Sequence, residues 1–431
     1  MPSSFVGWFA ALVMVLAART ATAQGNQTPV PQAVLHADSV LDLPTLERDV
    51  VARNPSLAAM RAAVREARAR VGVEGALENP MVDVMVAPQS FGRPEPAGYR
   101  IDVDQPIPWF GTRGLRREAA AAEADASQAS FETARLDLIR EARAAFYDDY
   151  HYDQVRRTLL DQLELVRQSR QVALSRYAAG TSAQQDVLDA DVDIAMLEHQ
   201  TVAAGRSQAL VETRLRSLLH LDALTPLPSP PDTVPIPETL DAVRLVARAD
   251  TTTRPELRVA LASMRAAQAR IDLARRERLP EPALGVVYDQ MQVDPDMRWG
   301  VRASLALPIA PGRRASAQRE AEAQLEAARA RHDAANDAIQ RAVADAATEF
   351  SESLHELEVI HDGLLPATER ALASARARYE SGKLDFTNVL AAARARAQAR
   401  LEFHRVLGDA NQARADLERA LGGPRPTEEV P

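Results

Sequence analysis

Arg176-Tyr177-Ala178-Ala179-Gly180-Thr181-Ser182-Ala183-Gln184-Gln185-Asp186-Val187-Leu188 returns about 200 residues later, in the same register, as Arg378-Tyr379-Glu380-Ser381-Gly382-Lys383-Leu384-Asp385-Phe386-Thr387-Asn388-Val389-Leu390. Two further anchors repeat in the same order. Asn54-Pro55-Ser56-Leu57 returns as Arg254-Pro255-Glu256-Leu257, and Pro106-Ile107-Pro108 with Gly111 returns, one residue out of step, as Pro308-Ile309-Ala310-Pro311-Gly312. The chain is therefore a tandem duplication of one supersecondary unit, and its function must follow from what that unit builds.

The composition supports long helices. Aromatic residues make up only 4% of the 431, too few for a bulky aromatic core, while Ala, Arg, Glu, Leu and Gln dominate. The net charge of -9 provides no basic stripe, which excludes nucleic acid as a partner. Residues 1–23 carry an apolar run, Phe5 to Ala18, and end in Ala21-Thr22-Ala23, the small-x-small pattern of a cleaved signal peptide, although no Lys or Arg precedes the run. Export is the expectation. There is no cysteine, hence no disulfide and no thiol chemistry, and no later segment reaches the unbroken apolar length of a transmembrane helix. Any membrane contact must be made by strands.

Each half reads helix, hairpin, long helical pair. The first helices, Leu43 to Glu78 and Arg254 to Leu279, stop at Asn79-Pro80 and Pro280-Glu281-Pro282, because proline removes a helical donor and pushes its predecessor into extended conformation. Strands are predicted near 81–87 and 99–105, and again near 283–291 and 298–307. Tyr99, Ile101 and Val103 alternate with Arg100, Asp102 and Asp104, and Trp299, Val301, Ala303 and Leu305 alternate with Arg298, Gly300, Arg302 and Ser304. Asp83 and Asp289 sit among apolar neighbours in the partner strands. The alternation alone fits a soluble sandwich or a membrane barrel. Polar loops, Pro88 to Gly98 and Gln292 to Met297, join the strands. Helices follow from Thr112 to Tyr177 and from Arg314 to Tyr379, each about 100 Å long at the helical rise, and Gly180 and Gly382 stop them before return helices from Ala183 to His220 and Leu384 to Leu421. The predicted layout is a signal peptide at 1–23, an extended segment at 24–42, a first repeat at 43–221, a proline-rich linker at 222–237, a second repeat at 238–422 and a tail at 423–431.

A sheet of four strands cannot stand open in a bilayer, since its two edges would leave backbone groups unpaired in hydrocarbon. Closure with further copies is required, and three copies would supply twelve strands, enough for a water-filled barrel. The duplicated plan, with Asn54-Pro55, Asn79-Pro80, Gln105-Pro106, Gly111-Thr112-Arg113 and the two Arg-Tyr-x-x-Gly strings, resembles the TolC family of outer-membrane efflux proteins from about Leu43 to Gly422. Gln105 to Arg113 and Ala144-Ala145-Phe146-Tyr147 look closest to its heavy-metal branch, the CzcC and CusC-like proteins. The resemblance implies a mainly α fold with a small β part: a homotrimer with a twelve-stranded β-barrel in the outer membrane, in contact with its lipid, continued by an α-helical barrel through the periplasm. It also implies a periplasmic adaptor and an inner-membrane pump of the RND type as partners.

On the same resemblance, Arg176, Tyr177, Gly180, Arg378, Tyr379 and Gly382 fall at the periplasmic tip, where helix ends are packed and the adaptor docks. The two glycines also serve as plain helix stops. Family members often narrow the entrance with carboxylates on the pattern Asp-Val-Leu-Asp in the second copy. This chain has Asn388-Val389-Leu390-Ala391 there and carries Asp186-Val187-Leu188-Asp189 in the first copy instead. Asp186, Asp189 and Asp193, at steps of three and four, share one helix face and are the candidate negative ring, the alternative being a solvated outer face.

Catalytic chemistry is not visible. His355 and His361 are six residues apart, about 120° around a helix, and the other histidines are scattered with no cysteine beside them, so neither an enzyme nor a bound metal or other cofactor is expected. Met81, Met85, Met291 and Met297 near the strands read either as soft ligands or as packing and lipid-facing residues. The leading function is a passive exit duct for metal ions or small molecules. The exit duct of a type I protein secretion system shares the fold, and a soluble periplasmic coiled-coil scaffold is the alternative of another class. Tyr99, Tyr288 and Trp299 at interfacial positions count against the scaffold.

Overall fold

A computed structural model describes residues 40–87, 98–238, 254–276, 278–292 and 294–423. The signal peptide, most of the 24–42 segment, most of the Pro88 to Gly98 loop and nearly all of the tail lie outside the described residues. The elements in order are α1 (Leu43–Arg53), α2 (Pro55–Gly75), β1 (Met81–Ala87), β2 (Gly98–Pro106), α3 (Thr112–Ala178), α4 (Gln184–Leu218), α5 (Pro255–Arg276), β3 (Glu281–Asp289), β4 (Trp299–Ala306), α6 (Pro311–Glu358), a π-helical turn (Val359–Leu364), α7 (Leu365–Glu380) and α8 (Phe386–Ala420). A short 3₁₀ turn, Pro295–Met297, lies between β3 and β4. The fold is mainly helical with one small sheet, as the sequence predicts.

Two helices expected to be continuous are broken, each for a local reason. Leu43 to Glu78 divides at Asn54, because Pro55 offers no amide hydrogen. Asn54 takes extended angles, φ −63° and ψ 123°, and its side chain caps the new helix by accepting from the Ser56 amide at 3.0 Å. The long helix of the second half loosens into the π turn, after which Pro366 occupies the first turn of α7. Proline there cannot donate to the carbonyl four residues back, and the wider turn absorbs the lost bond. Its first-half counterpart, α3, contains no proline and runs unbroken for 67 residues, about 100 Å.

The helices pack side by side. α3 lies against α2, α4, α5 and α8, while α6 lies against α5 and α8. Alanines such as Ala119, Ala129, Ala142 and Ala262 fill many of the buried positions, and their small side chains let long helices approach closely along their length. The largest core cluster joins α1, α3, α4, α8 and the π turn through Leu46, Phe146, Tyr150, Leu215, Ile360 and Leu407. The proline-rich segment crosses this region extended. Ser229 bridges to Val40, and the carbonyls of Asp232 and Pro235 accept from Gln154 at 3.1 Å and Asn411 at 3.2 Å. It is thus strapped to α3 and α8 along its path.

The sheet has the order β1-β2-β3-β4, antiparallel throughout. Register collects the apolar side chains on one face, where Val84 faces Ile101, Ile101 faces Tyr288, and Tyr288 faces Trp299. The other face holds Asp83, Arg100, Asp102, Asp104 and Arg302, with Arg100 donating to Asp102 at 2.9 Å and Arg302 to Asp104 at 3.1 Å. The last of these contacts depends on Gly285. A Cβ there would meet the Asp104 carboxylate and come within 2.9 Å of the Val103 carbonyl. Asp104 therefore reaches across β3 to Arg302 only because position 285 has no side chain.

One buried carboxylate sits under strain within the helical body. Asp149 on α3 is 2% exposed, and burial, aided by Glu212 and Asp153, pushes its pKa up to about 7 despite a donated bond from Gln208 at 3.5 Å and the charge of Arg216. A folded-state value above the unfolded one means stability is full below about pH 4 and is lost as pH rises through 7, by about 4 kcal/mol in all. The Asp149→Asn protein is expected to unfold at a higher temperature than wild type at pH 8 and at the same temperature at pH 4, as measured by thermal unfolding monitored by circular dichroism.

Candidate functional site

The repeated turns close the two helical hairpins with one geometry. Gly180 and Gly382 take left-handed φ values of 69° and 73°. In the first turn Gly180 donates to Tyr177 at 3.0 Å and Thr181 to Arg176 at 2.9 Å; in the second Gly382 donates to Tyr379 and Lys383 to Arg378, both at 2.9 Å. These paired bonds satisfy the last helical carbonyls and need a residue free to adopt positive φ. Open space surrounds both glycines, so backbone conformation alone selects them.

Equivalent side chains do different things. Tyr177 is 44% exposed, whereas Tyr379 is 8% exposed and packs at a tilt against Phe386, 5.7 Å between centroids. The Arg176 guanidinium lies 4.0 Å from the centre of the Tyr379 ring and donates to the Tyr379 carbonyl at 3.1 Å. Arg378 is exposed. The first hairpin thus grips the second through Arg176 on Tyr379, above an apolar cluster of Val166, Ala173, Val187, Phe386, Val389 and Leu390. Tyr177 and Arg378 remain outward at the tip.

The three acidic positions do not stay together. Asp186 and Asp189 are half-buried at the start of α4, and Asp189 accepts from Gln185 at 2.7 Å. Burial raises the Asp186 pKa, with Asp189 and Asp385 of the other hairpin adding to the rise. Asp193 departs from the expected open face: it is 6% exposed and bound by Arg394 of α8, whose Nε donates at 2.9 Å. The physical reason is that Arg394 reaches Asp193 from α8, and a buried carboxylate must be paired. Asp191, next to it, pairs with Arg170. Asn388 is exposed in the first turn of α8. The carboxylates grouped near the tip in one chain are therefore Asp186, Asp189 and Asp385.

Asp385, Phe386 and Arg394 escaped the sequence reading. Asp385 was legible as the neighbour of an aligned position. Arg394 was not, because its repeat counterpart is an apolar residue, Val192. Among the described residues no group of His, Cys, Asp or Glu has metal-ligand geometry. His404 is instead half-buried, in contact with the Tyr150 hydroxyl at 3.2 Å, with burial holding its pKa down to about 4.

The profile of the family described as outer membrane efflux protein matches residues 46–220 and 251–423, both repeats. This chain belongs to the outer membrane efflux protein family. Protein CyaE of Bordetella pertussis is 27% identical over 253 residues, 54% of this chain and 52% of CyaE, so the chain spans about half the length of that relative. The cobalt-zinc-cadmium resistance protein CzcC of Cupriavidus metallidurans is 24% identical over 334 residues, 74% of this chain and 75% of CzcC. The outer-membrane channel OprN shares the fold, with a TM-score of 0.75 over 89% of this chain and 90% of that one at 22% identity. As a member of the outer membrane efflux family the protein is an outer-membrane channel component and not an enzyme.

Two substitutions separate the parts of the tip clasp. Arg176→Gln removes the cation over the ring and is expected to weaken the tip by about 1 kcal/mol, seen as faster amide exchange in 375–390. Tyr379→Phe keeps the ring and removes a buried hydroxyl that has no partner, so exchange there is expected to be unchanged or slower.

Proposed function

We propose that the protein is the passive exit duct of a tripartite efflux system, a homotrimer whose sheets close into a twelve-stranded barrel and whose helices form the tunnel beneath it. The carrying observation is the sheet itself: one face apolar, the other charged, both edges without a partner strand, mounted on long helices of which α3 is about 100 Å. In hydrocarbon those edges must be paired, and three copies provide a ring wide enough for a water-filled lumen. Tyr99, Tyr288 and Trp299, in mutual contact at 5.9 and 5.0 Å between centroids, suit the membrane interface and favour the barrel over a soluble scaffold.

At the far end, Tyr177 and Arg378 are the outward groups offered to a periplasmic adaptor, which in turn brings an inner-membrane pump of the RND type. Asp186, Asp189 and Asp385, repeated by threefold symmetry, favour cations at the entrance, and the likeness to CzcC supports heavy-metal cations as cargo. Asp193 is excluded from this ring by its bond to Arg394. The duct has no energy source of its own and conducts when its partners hold the tip open.

Purified from outer membranes in detergent, the mature chain is expected to have the mass of a trimer and to give small, cation-selective conductance in a planar bilayer. The Asp186→Asn plus Asp189→Asn protein is expected to keep the trimer mass and lose most of that selectivity. A periplasmic monomer without conductance would remove the channel reading, and unchanged selectivity would remove the acidic ring.

A further inference from the structure

The two hairpins are copies of one another down to their hydrogen-bond register. Taking Pro80 to Pro280 and Pro106 to Pro308 as equivalent, β1 corresponds to β3 and β2 to β4. The pair Met81–Asp104 then maps onto Glu281–Ala306, and both pairs are observed. The chain therefore contains the geometry of one hairpin unit twice, and it also shows how one unit joins the next. At that junction, β2 to β3, Asp104 lies opposite Gly285, Val103 opposite Val286 and Gln105 opposite Leu284.

A second observation concerns where strands stop. β2 and β3 are paired on both sides and run to Pro106 and Asp289. The edge strand β4 ends early on the side that lacks a partner: it stops at Ala306, two residues before the counterpart of Pro106. Likewise the Ile107 amide donates to the Pro282 carbonyl at 2.9 Å, while its counterpart Ile309 is 85% exposed. What this edge lacks is what the internal junction supplies.

We propose that neighbouring copies join through a β4-to-β1 seam in the register of the internal junction, with Ala306 opposite Met85, Leu305 opposite Val86 and Leu307 opposite Val84 of the next copy. This rests on the barrel reading above and adds its register. The faces agree, since Leu305, Leu307, Val84 and Val86 all extend the apolar side, and a slip of one residue would turn one set into the lumen. The chemistry of the seam differs from that of its template. Inside the chain Arg302 is bound to Asp104 across Gly285. Across the seam the corresponding positions are Arg100, Ala306 and Met85, which contain no carboxylate, so main-chain hydrogen bonds and apolar contact hold it and salt does not loosen it.

The absence of native cysteine allows a direct test. Hydrogen-bonded pairs at the internal junction fall at Tyr99 and Ile107, which makes Asp104–Gly285 a non-hydrogen-bonded pair, the kind with closer side chains. Its counterpart, Ala306→Cys with Met85→Cys in one chain, faces the lumen and is expected to convert most of the protein to covalent dimer and trimer on mild oxidation, at low and at high salt alike. Ala306→Cys with Asp83→Cys, and Ser304→Cys with Met85→Cys, are each slipped by two residues and are expected to stay monomeric in denaturing gels. Linking by a slipped pair, or by none while the mass in detergent is still that of a trimer, would overturn the register and leave the channel standing. A monomer mass for every variant and for the unsubstituted chain would overturn the channel reading as well.

Discussion

A sheet that meets hydrocarbon on one face cannot end in hydrocarbon. Every unpaired amide and carbonyl at its edge would cost several kcal/mol, so the four strands among the described residues need further strands at both edges. The rest of the protein is consistent with that constraint. Alternation assigns one face to lipid and one to water, the duplicated hairpin makes each junction resemble the last, and the long helices carry the ring's outline away from the membrane. Gly285 shows how narrow the tolerances are, because the Arg302–Asp104 ion pair, which spans β3, passes over the residue with no side chain.

Duplication gave the protein two equal hairpins, and divergence made them unequal where function requires it. At the tip the two helix-ending turns are superimposable in their hydrogen bonds, yet one tyrosine is buried beneath an arginine from the other copy while its twin faces out. The two hairpins are joined at the tip by one cation over one ring and by one carboxylate under one arginine. The same divergence appears in the long helices. α3 is unbroken, whereas its counterpart yields at the π turn before Pro366, giving the second half a joint the first does not have.

Much of this was legible in residue order because its causes are local. Proline stops at Asn79-Pro80 and Pro280, glycine at the two tip turns and period-two alternation in the strands each act within a few residues, and the strands fall within two residues of their expected ends. The break at Asn54-Pro55 was equally local. It was passed over because the apolar pattern continues across it, although proline after an asparagine that caps the next turn is itself a boundary signal.

By itself, the sequence determined the duplication, the alternation of faces, the glycine-closed hairpins and the family, since all of these depend on residue type and spacing along one segment. Only the tertiary structure decided that Asp193 is paired under Arg394 and so leaves the acidic group, that Asp385 joins it, and that Arg176 takes Tyr379 of the other repeat while Tyr177 goes free. Those outcomes depend on which faces two long helices turn toward each other. A rotation of a fraction of a turn, set by packing accumulated along tens of residues, moves a carboxylate from water to the interior.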